Sequence, residues 1–255
     1  MKQVTAVVLA GSRPGRDAFA DAHGTDLKAL IPVGGMPMVR RPVEALLGSE
    51  RVARVRVLAQ QSERIAAVLP EDERLSVGPS GDTIATTLQA LCDDPSVEWP
   101  LLVTTADHAL LDGAMIEDFV SRANGADVAI GLVERKPLTA RLPQTKRTWI
   151  KLRGGAYSGA NLFLLAGPQV APALQLWRSV EQDRKKAWKL LGLMGPLTLV
   201  AAVLRLRSLH QLLGSVSKRL GIEVRAVELS NPLAAVDVDK AEDLKLVEAI
   251  LAGRA

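Results

Sequence analysis

Two glycines and two arginines follow an apolar run near the start of the chain. Residues 4–10 are apolar except for Thr5, and the residues that follow are Gly11, Ser12, Arg13, Pro14, Gly15 and Arg16. Glycines let backbone N–H groups approach an anion closely, and arginines neutralise its charge. With Lys28 further along, the loop has the residue types that bind a triphosphate. Because the spacing is neither Walker A nor Gly-x-Gly-x-x-Gly, a purely structural turn remains an equal alternative.

Three aspartates follow other apolar runs and are candidate metal ligands. Asp107 follows the run 99–105, and Asp237 and Asp239 come after the segment 224–229, which is predicted to be a strand, and a short connection. Carboxylates beside cations that bind a triphosphate form the kind of magnesium site that phosphate chemistry uses. For Asp239 a second interpretation stays open, because an aspartate at this point is typical of the N-cap of the next helix.

The elements that position these residues alternate along the first half of the chain. Strands are predicted at 4–10, 52–58, 75–77, 99–105 and 127–133, and helices at 39–47, 62–69, 83–91 and 113–123. This alternation predicts an α/β fold with three layers around a mostly parallel, doubly wound sheet. Ligands of such sheets bind at the carboxyl ends of the strands, where the glycine loop and Asp107 fall.

Composition restricts the size and the partners of the protein. The 255 residues predict a single domain, 1–255, in which 134–221 is an inserted, largely helical acceptor or oligomer region. A net charge of +4 with only 3% aromatic residues favours an anionic small molecule or a membrane surface over nucleic acid. The single Cys92 excludes an internal disulfide and predicts a cytoplasmic protein. The histidines lack triad spacing, and His108 is interpreted as a loop histidine.

Two stretches of the second half leave alternatives open. Residues 134–153 hold seven lysines and arginines, which is typical of a solvated basic face or of a flap that meets an anionic substrate. The stretch 190–204 is strongly apolar but has only 15 residues, too few for a membrane span. A broken pair of core helices is the favoured interpretation of 188–213. A homodimer face and a peripheral membrane contact are the alternatives.

Four sequence motifs together resemble one enzyme family. Leu9-Ala10-Gly11 with Arg16 and Lys28 resembles the signature loop of the MobA-like nucleotidyltransferases, which belong to the GT-A-type superfamily. The segment 28–38 is similar to the family's lysine, strand and Gly-x-Pro turn, and 104–107 to its metal-binding segment. The segment 236–244 resembles the closing Asp-x-Asp motif. The resemblance covers residues 4–133 and 224–250.

The resemblance implies a Mg²⁺-dependent transfer of a nucleoside monophosphate from CTP, GTP or UTP to a phosphorylated small-molecule acceptor, with release of pyrophosphate. It implies catalytic roles for Arg16, Lys28 and Asp107, and Mg²⁺ ligation by Asp107, Asp237 and Asp239. The implied nucleotide-binding residues are Leu9, Ala10, Gly11, Ser12, Arg13, Gly15, Arg16, Lys28, Gly78, Gly81 and Asp82. The implied acceptor-binding residues are Tyr157, Ser158, Gly159 and Asn161.

Two departures and two alternatives accompany the resemblance. Ser12 stands where the family has a second glycine, and the path from Arg16 to Asp26 is extended. A GT-A-type glycosyltransferase would carry Asp-x-Asp where this chain has Asp107-His108-Ala109, which argues against that activity. A catalytically silent nucleotide-binding regulatory domain would not need Arg16, Lys28, Asp107 and Asp237 together.

Overall fold

A computed structural model describes residues 3–12, 15–182 and 206–254. Arg13 and the apolar stretch 190–204 therefore lie outside the described residues. The described strands are β1 (Val4–Leu9), β2 (Pro32–Val33), β3 (Met36–Pro37), β4 (Val52–Ala59), β5 (Leu75–Pro79), β6 (Leu101–Thr105), β7 (Val128–Glu134), β8 (Ile150–Leu152), β9 (Gly155–Leu165) and β10 (Val224–Glu228). The described helices are α1 (Ala18–Asp21), α2 (Arg40–Leu47), α3 (Ser62–Ala66), α4 (Ile84–Asp93), α5 (Gly113–Arg122), α6 (Arg135–Arg141), α7 (Ala171–Gln182), α8 (Leu209–Leu220) and α9 (Ala241–Leu251).

Eight of these strands form one mixed sheet, which confirms the predicted fold class. The strand order is β10-β7-β9-β6-β1-β4-β5, and β8 pairs with β9. The pairs β1–β4, β1–β6, β4–β5 and β7–β10 are parallel, whereas β9 runs antiparallel to its neighbours. The remaining strands, β2 and β3, form a separate two-stranded ladder. The parallel strands end on a common edge, which is where ligands bind in this class of sheet.

The segment expected to be an insertion supplies part of the sheet. β9 lies within residues 134–221, yet it pairs with β6 on one side and β7 on the other. It is the eleven-residue strand Gly155–Leu165. A strand paired on both sides belongs to the core of the domain rather than to an accessory region. This part of 134–221 therefore belongs to the main sheet.

Hydrophobic side chains pack on both faces of the sheet and so produce three layers. Successive side chains of a strand point to opposite faces, and on β1 Ala6 and Val8 belong to one buried cluster while Val7 belongs to another. The first cluster includes buried residues of α2, α5 and α9, and the second includes buried residues of α4 and α7. This sandwich fixes the strand ends against one another, so loops at the carboxyl edge start from rigid positions.

Candidate active site

The glycine loop and Asp107 leave the sheet side by side. Ala106 N–H donates to the carbonyl of Leu9 at 3.0 Å, which extends the pairing of β1 with β6 by one residue. Ala10 N–H donates to the carbonyl of Leu58 at 2.9 Å on the other side. Both loops therefore begin at the carboxyl edge, as the sequence predicted.

Lys28 lies between two carboxylates from distant parts of the chain. Its Nζ is 2.6 Å from Oδ2 of Asp107 and 2.6 Å from Oδ1 of Asp239. Lys28 begins a short 3-10 helix, Lys28–Leu30, in which Ile31 N–H donates to the Lys28 carbonyl at 3.1 Å. Three side chains thus meet at one point: Lys28, Asp107 from the turn after β6, and Asp239 from the chain after β10. We call this group the Lys28 cluster.

Local hydrogen bonds orient the carboxylate of Asp107. The hydroxyl of Thr105 donates to its Oδ1 at 2.5 Å, while Oδ2 accepts from Lys28. The Asp107 carbonyl accepts from Val238 N–H at 3.1 Å, which ties the turn after β6 to the segment that carries Asp239. Asp107 is held on both its side chain and its main chain.

Burial and charge act in opposite directions on Lys28. Burial favours the neutral amine and lowers its pKa, but the negative charge of Asp107 and the hydrogen bonds to both carboxylates outweigh that effect. The pKa of Lys28 is therefore raised above its ordinary value, and the side chain is a cation at neutral pH.

The donor set of the Lys28 cluster suits Mg²⁺. No group of three or more His, Cys, Asp or Glu residues able to hold a metal occurs among residues 3–12, 15–182 and 206–254. Mg²⁺ commonly takes one or two carboxylates and completes its shell with water and substrate phosphates. Asp107 and Asp239 supply two such carboxylates, already placed around a cation, and they fit the metal on that basis.

Asp237 has different partners from Asp239. Arg147 donates from one terminal nitrogen to Oδ1 of Asp237 and from the other to the Asp237 carbonyl at 3.0 Å. Asn161 Nδ2 donates to Oδ2 at 3.2 Å. Both carboxylate oxygens of Asp237 therefore accept hydrogen bonds from Arg147 and Asn161, whereas Asp107 and Asp239 pair with Lys28.

The N-cap role considered for Asp239 is wrong. The residue at the N-cap of α9 is Lys240, and its side chain makes no capping bond. Instead, the side chain of Asp243 accepts from the backbone N–H of Asp239 at 3.3 Å. This bond leaves the Asp239 carboxylate for Lys28, and 63% of that side chain is exposed.

Gln60 is a site residue that the sequence reasoning missed. It follows β4 directly, and its Oε1 accepts from Ser12 N–H at 2.8 Å while its Nε2 donates to the Gly81 carbonyl at 3.1 Å. A Cβ at Gly11 would approach the Gln60 amide to 3.1 Å, so this position is tight for a larger residue. A polar residue at the carboxyl end of a strand is the signal that could have identified Gln60.

The remaining predicted nucleotide-binding residues are only partly brought together. Gly78 lies within β5. Gly81 N–H donates to the Thr87 hydroxyl at 3.0 Å, and Asp82 is exposed. Arg16 is largely exposed, and its Nε pairs with Asp21 at 2.5 Å rather than with the Lys28 cluster. Gly15 has a φ of 108°, a conformation that favours glycine. Leu9, Gly11, Ser12 and Gly81 thus border the site, and Arg16 lies at its periphery.

Of the predicted acceptor residues, Asn161 contacts a site carboxylate. It has a φ of 48°, in the left-handed region that asparagine tolerates better than most residues. Gly159, Ser158 and Tyr157 lie two to four positions earlier in β9, opposite Leu132, Val133 and Glu134 of β7. Burial, assisted by Glu228 and Glu134, raises the pKa of Tyr157.

His108 is a fully buried residue at the base of the site. Its side chain is 0% exposed, and Nδ1 lies 3.2 Å from the hydroxyl of Thr104. Burial lowers its pKa to about 4, against a smaller opposite effect of Asp107. His108 is therefore neutral at physiological pH and packs beneath the Asp107 turn.

Comparisons with known proteins identify the family of this chain. The sequence model of the MobA-like NTP transferase domain matches residues 6–220, and the chain belongs to that family. A hypothetical transferase from Thermus thermophilus is 32% identical, with a TM-score of 0.79 over 95% of this chain and 99% of the other. No curated protein matches the sequence significantly.

More distant structures share the fold. A 4-diphosphocytidyl-2C-methyl-D-erythritol synthase from Anaerococcus prevotii is 11% identical, with a TM-score of 0.61 over 98% of this chain and 96% of the other. A 2-C-methyl-D-erythritol 4-phosphate cytidylyltransferase from Francisella tularensis is 12% identical, with a TM-score of 0.60 over 96% and 98%. Within the part of the chain that the structure describes, no helix is long and apolar enough to cross a bilayer.

Proposed function

We propose that the protein transfers a nucleoside monophosphate from an NTP to a phosphorylated small molecule, with Mg²⁺ bound by Asp107 and Asp239. The observation that carries this proposal is the Lys28 cluster, in which one ammonium lies 2.6 Å from each of two carboxylates beside the glycine loop. A cation and two hard oxygen ligands at the carboxyl edge of such a sheet suit a metal-bound triphosphate.

The reaction needs positioning and charge neutralisation more than acid–base catalysis. An acceptor phosphate oxygen is already anionic; it forms a bond to the α-phosphorus as the bond from that phosphorus to the bridging oxygen breaks, and pyrophosphate leaves. Lys28 stabilises negative charge on the phosphates, and the backbone N–H of Gly11 orients them, since the N–H groups of Ala10 and Ser12 already donate to Leu58 and Gln60. Bound Mg²⁺ supplies further charge neutralisation of the triphosphate.

The neutral state of His108 agrees with this chemistry. A general base would need a pKa near the working pH, whereas burial lowers the pKa of His108 to about 4. Asp107, next to His108, is held in place by hydrogen bonds from the Thr105 hydroxyl and the Val238 N–H. The residues around the phosphates thus act by fixed charge and fixed hydrogen bonds.

Thermal stabilisation by nucleotides tests the proposal first. CTP, GTP, UTP and ATP are each added with and without Mg²⁺, and the expected result is a rise in Tm for one nucleotide that depends on the metal. A panel of phosphate monoesters then serves as acceptors, with pyrophosphate release as the readout. Asp107→Ala is the matched variant, because it removes one carboxylate of the cluster without changing the core. No stabilisation by any nucleotide, and no pyrophosphate with any acceptor, would contradict the proposal.

A further inference from the structure

Arg147 stands apart from the other cations of its segment. The six other lysines and arginines in 134–153 are exposed residues, namely Arg135, Lys136, Arg141, Lys146, Lys151 and Arg153. The Arg147 side chain is only 9% exposed. Of the two interpretations of this basic segment, a solvated face therefore describes most of it. Arg147 alone of the seven is drawn into the site.

The hydrogen bonds that Arg147 makes to described residues go to Asp237, while Asp243, Asp239 and Asp107 lie near enough to attract its charge. Its two terminal nitrogens donate to the carboxylate and to the carbonyl of Asp237, which fixes both the side chain and the main chain of that residue. A guanidinium that donates in two directions has a defined orientation, which a lysine at the same place would lack. Arg147 thereby joins the connection between α6 and β8 to the chain after β10.

Asn161 completes this arrangement from the middle of the sheet. Its amide donates to the second carboxylate oxygen of Asp237, and its left-handed backbone lies in β9 next to a shift in the β7–β9 register. Residues in sparsely populated backbone regions persist where the surroundings determine them strongly. Arg147 and Asn161, from two other segments, thus both donate hydrogen bonds to Asp237. We call these three residues the clamp.

We infer that the clamp positions the acceptor side of the site, and that Asp237 is a positioning residue rather than a metal ligand. Arg147 holds residues 142–149 against the carboxyl edge, and Asp237 orients the Asn161 amide. Asp239, together with Asp107, then provides the two carboxylates that bind the metal ion. Only the metal-binding half of this inference rests on the proposed function, since the clamp itself is independent of any substrate.

Two isosteric variants, two positions apart, separate these roles. Asp237→Asn and Asp239→Asn each remove one negative charge. The affinity of each variant for Mn²⁺ is measured by electron paramagnetic resonance. Hydrogen exchange of peptides that cover 143–153 is measured in the same proteins. We expect Asp239→Asn to weaken Mn²⁺ binding about tenfold or more and to leave the exchange unchanged. We expect Asp237→Asn to speed the exchange about tenfold or more and to leave Mn²⁺ binding within about threefold of wild type.

A double variant shows that Arg147 and Asp237 act together. Arg147→Met should reproduce the faster exchange of Asp237→Asn, and the pair of changes should be no worse than either alone, because both break the same contact. The double variant removes both charges and leaves neither unpaired. It should therefore stay folded even if a single variant, which leaves one buried charge without its partner, does not. Additive effects of the two changes would overturn the clamp.

The remaining outcomes distinguish this inference from the proposed function. Loss of Mn²⁺ affinity in Asp237→Asn as large as in Asp239→Asn would overturn the positioning role, as would unchanged exchange in Asp237→Asn. If the wild-type protein binds no Mn²⁺, the metal half and the proposed metal site fail together, and the exchange data alone decide the clamp. If a phosphorylated acceptor is found, Arg147→Met should raise its KM about tenfold while the KM of the nucleotide stays within about threefold.

Discussion

The Lys28 cluster and the clamp lie at the same edge of the sheet but differ in how their charges are held. In the Lys28 cluster one ammonium serves two carboxylates, of which Asp107 is 20% and Asp239 63% exposed. In the clamp one carboxylate receives two donors, and the Arg147 side chain is 9% exposed. Exposed ion pairs contribute little to stability and exchange partners readily, whereas breaking a buried pair is costly. The first arrangement suits a site that receives a charged ligand, and the second suits a fixed support.

The largest effect is expected on turnover from changes in the Lys28 cluster. Lys28→Ala and Asp107→Ala should each lower the rate by about 10²–10³, because Lys28 would stabilise negative charge on the phosphates and Asp107 would hold the Mg²⁺ that does the same. The folding of both variants should be retained. The control is Lys240→Ala, since Lys240 is exposed and its Nζ is 4.0 Å from Glu242 rather than in the cluster. Pyrophosphate release is the measurement, and near-normal turnover in a folded Asp107→Ala protein would remove the cluster from the catalytic site.

His108, beneath the Asp107 turn, should make stability depend on pH. Its pKa is about 4 in the folded protein against an ordinary value of 6.5, so between these values the unfolded chain binds a proton that the folded protein does not. The free energy of unfolding should therefore fall by about 1.4 kcal/mol for each pH unit as the pH decreases through that window. Urea titrations at several pH values with EDTA, compared between wild type and His108→Gln, measure this contribution. Equal slopes in the two proteins would contradict it.

The clamp should contribute more to stability than a surface ion pair does. Arg147→Met should lower the free energy of unfolding by about 2 kcal/mol, less than for a fully buried pair because Asp237 is 22% exposed. Arg40→Met is the matched control, since the pair of Arg40 with Glu44 is exposed on both sides, and its effect should stay within about 0.5 kcal/mol. Chemical denaturation of the two variants gives the comparison. Similar losses in both would show that the clamp is an ordinary surface contact.

The smallest effect concerns the backbone of Asn161. At a φ of 48°, Asn161→Ala should be less stable than Asn161→Gly by about 1 kcal/mol, because alanine is strained in the left-handed region. Both variants lose the amide contact to Asp237, so the difference isolates the backbone. Thermal unfolding of the two proteins measures it, and an alanine variant at least as stable as the glycine one would exclude strain at this position.

The elements that repeat a local pattern were predictable from the sequence. The apolar run of β1, the glycine loop after it and the aspartate after β6 are each recognisable within a few residues. The placement of Lys28 near Asp107 was implied by the resemblance to the family's signature loop. The Lys28 cluster was therefore largely predicted, although the choice of Asp239 over Asp237 was not. That choice depends on the turn before α9, in which Asp243 rather than Asp239 makes the local hydrogen bond.

The clamp and the first part of β9, residues 155–161, were missed for a physical reason. Arg147 is one of seven cations in its segment, and no local pattern distinguishes the one that is buried from those that stay exposed. The same limit applies to β9, because its glycines and polar residues at 155–161 weaken the strand signal that the apolar end retains. Its neighbours, β6 and β7, lie tens of residues away in the sequence. Contacts between distant segments decided both features.

The direction of β9 has a consequence for how the protein can change. Because β9 is antiparallel to β6 and β7, the chain enters it at the carboxyl edge and leaves it at the opposite edge. The connection from α6 through β8 to β9 therefore starts and ends on the ligand side of the sheet. Lengthening or shortening it would alter the surface beside the Lys28 cluster without moving a central strand, since surface connections tolerate changes of length at small cost. Under the proposed function, selectivity for the acceptor can thus diversify through this one connection while the Lys28 cluster keeps its frame.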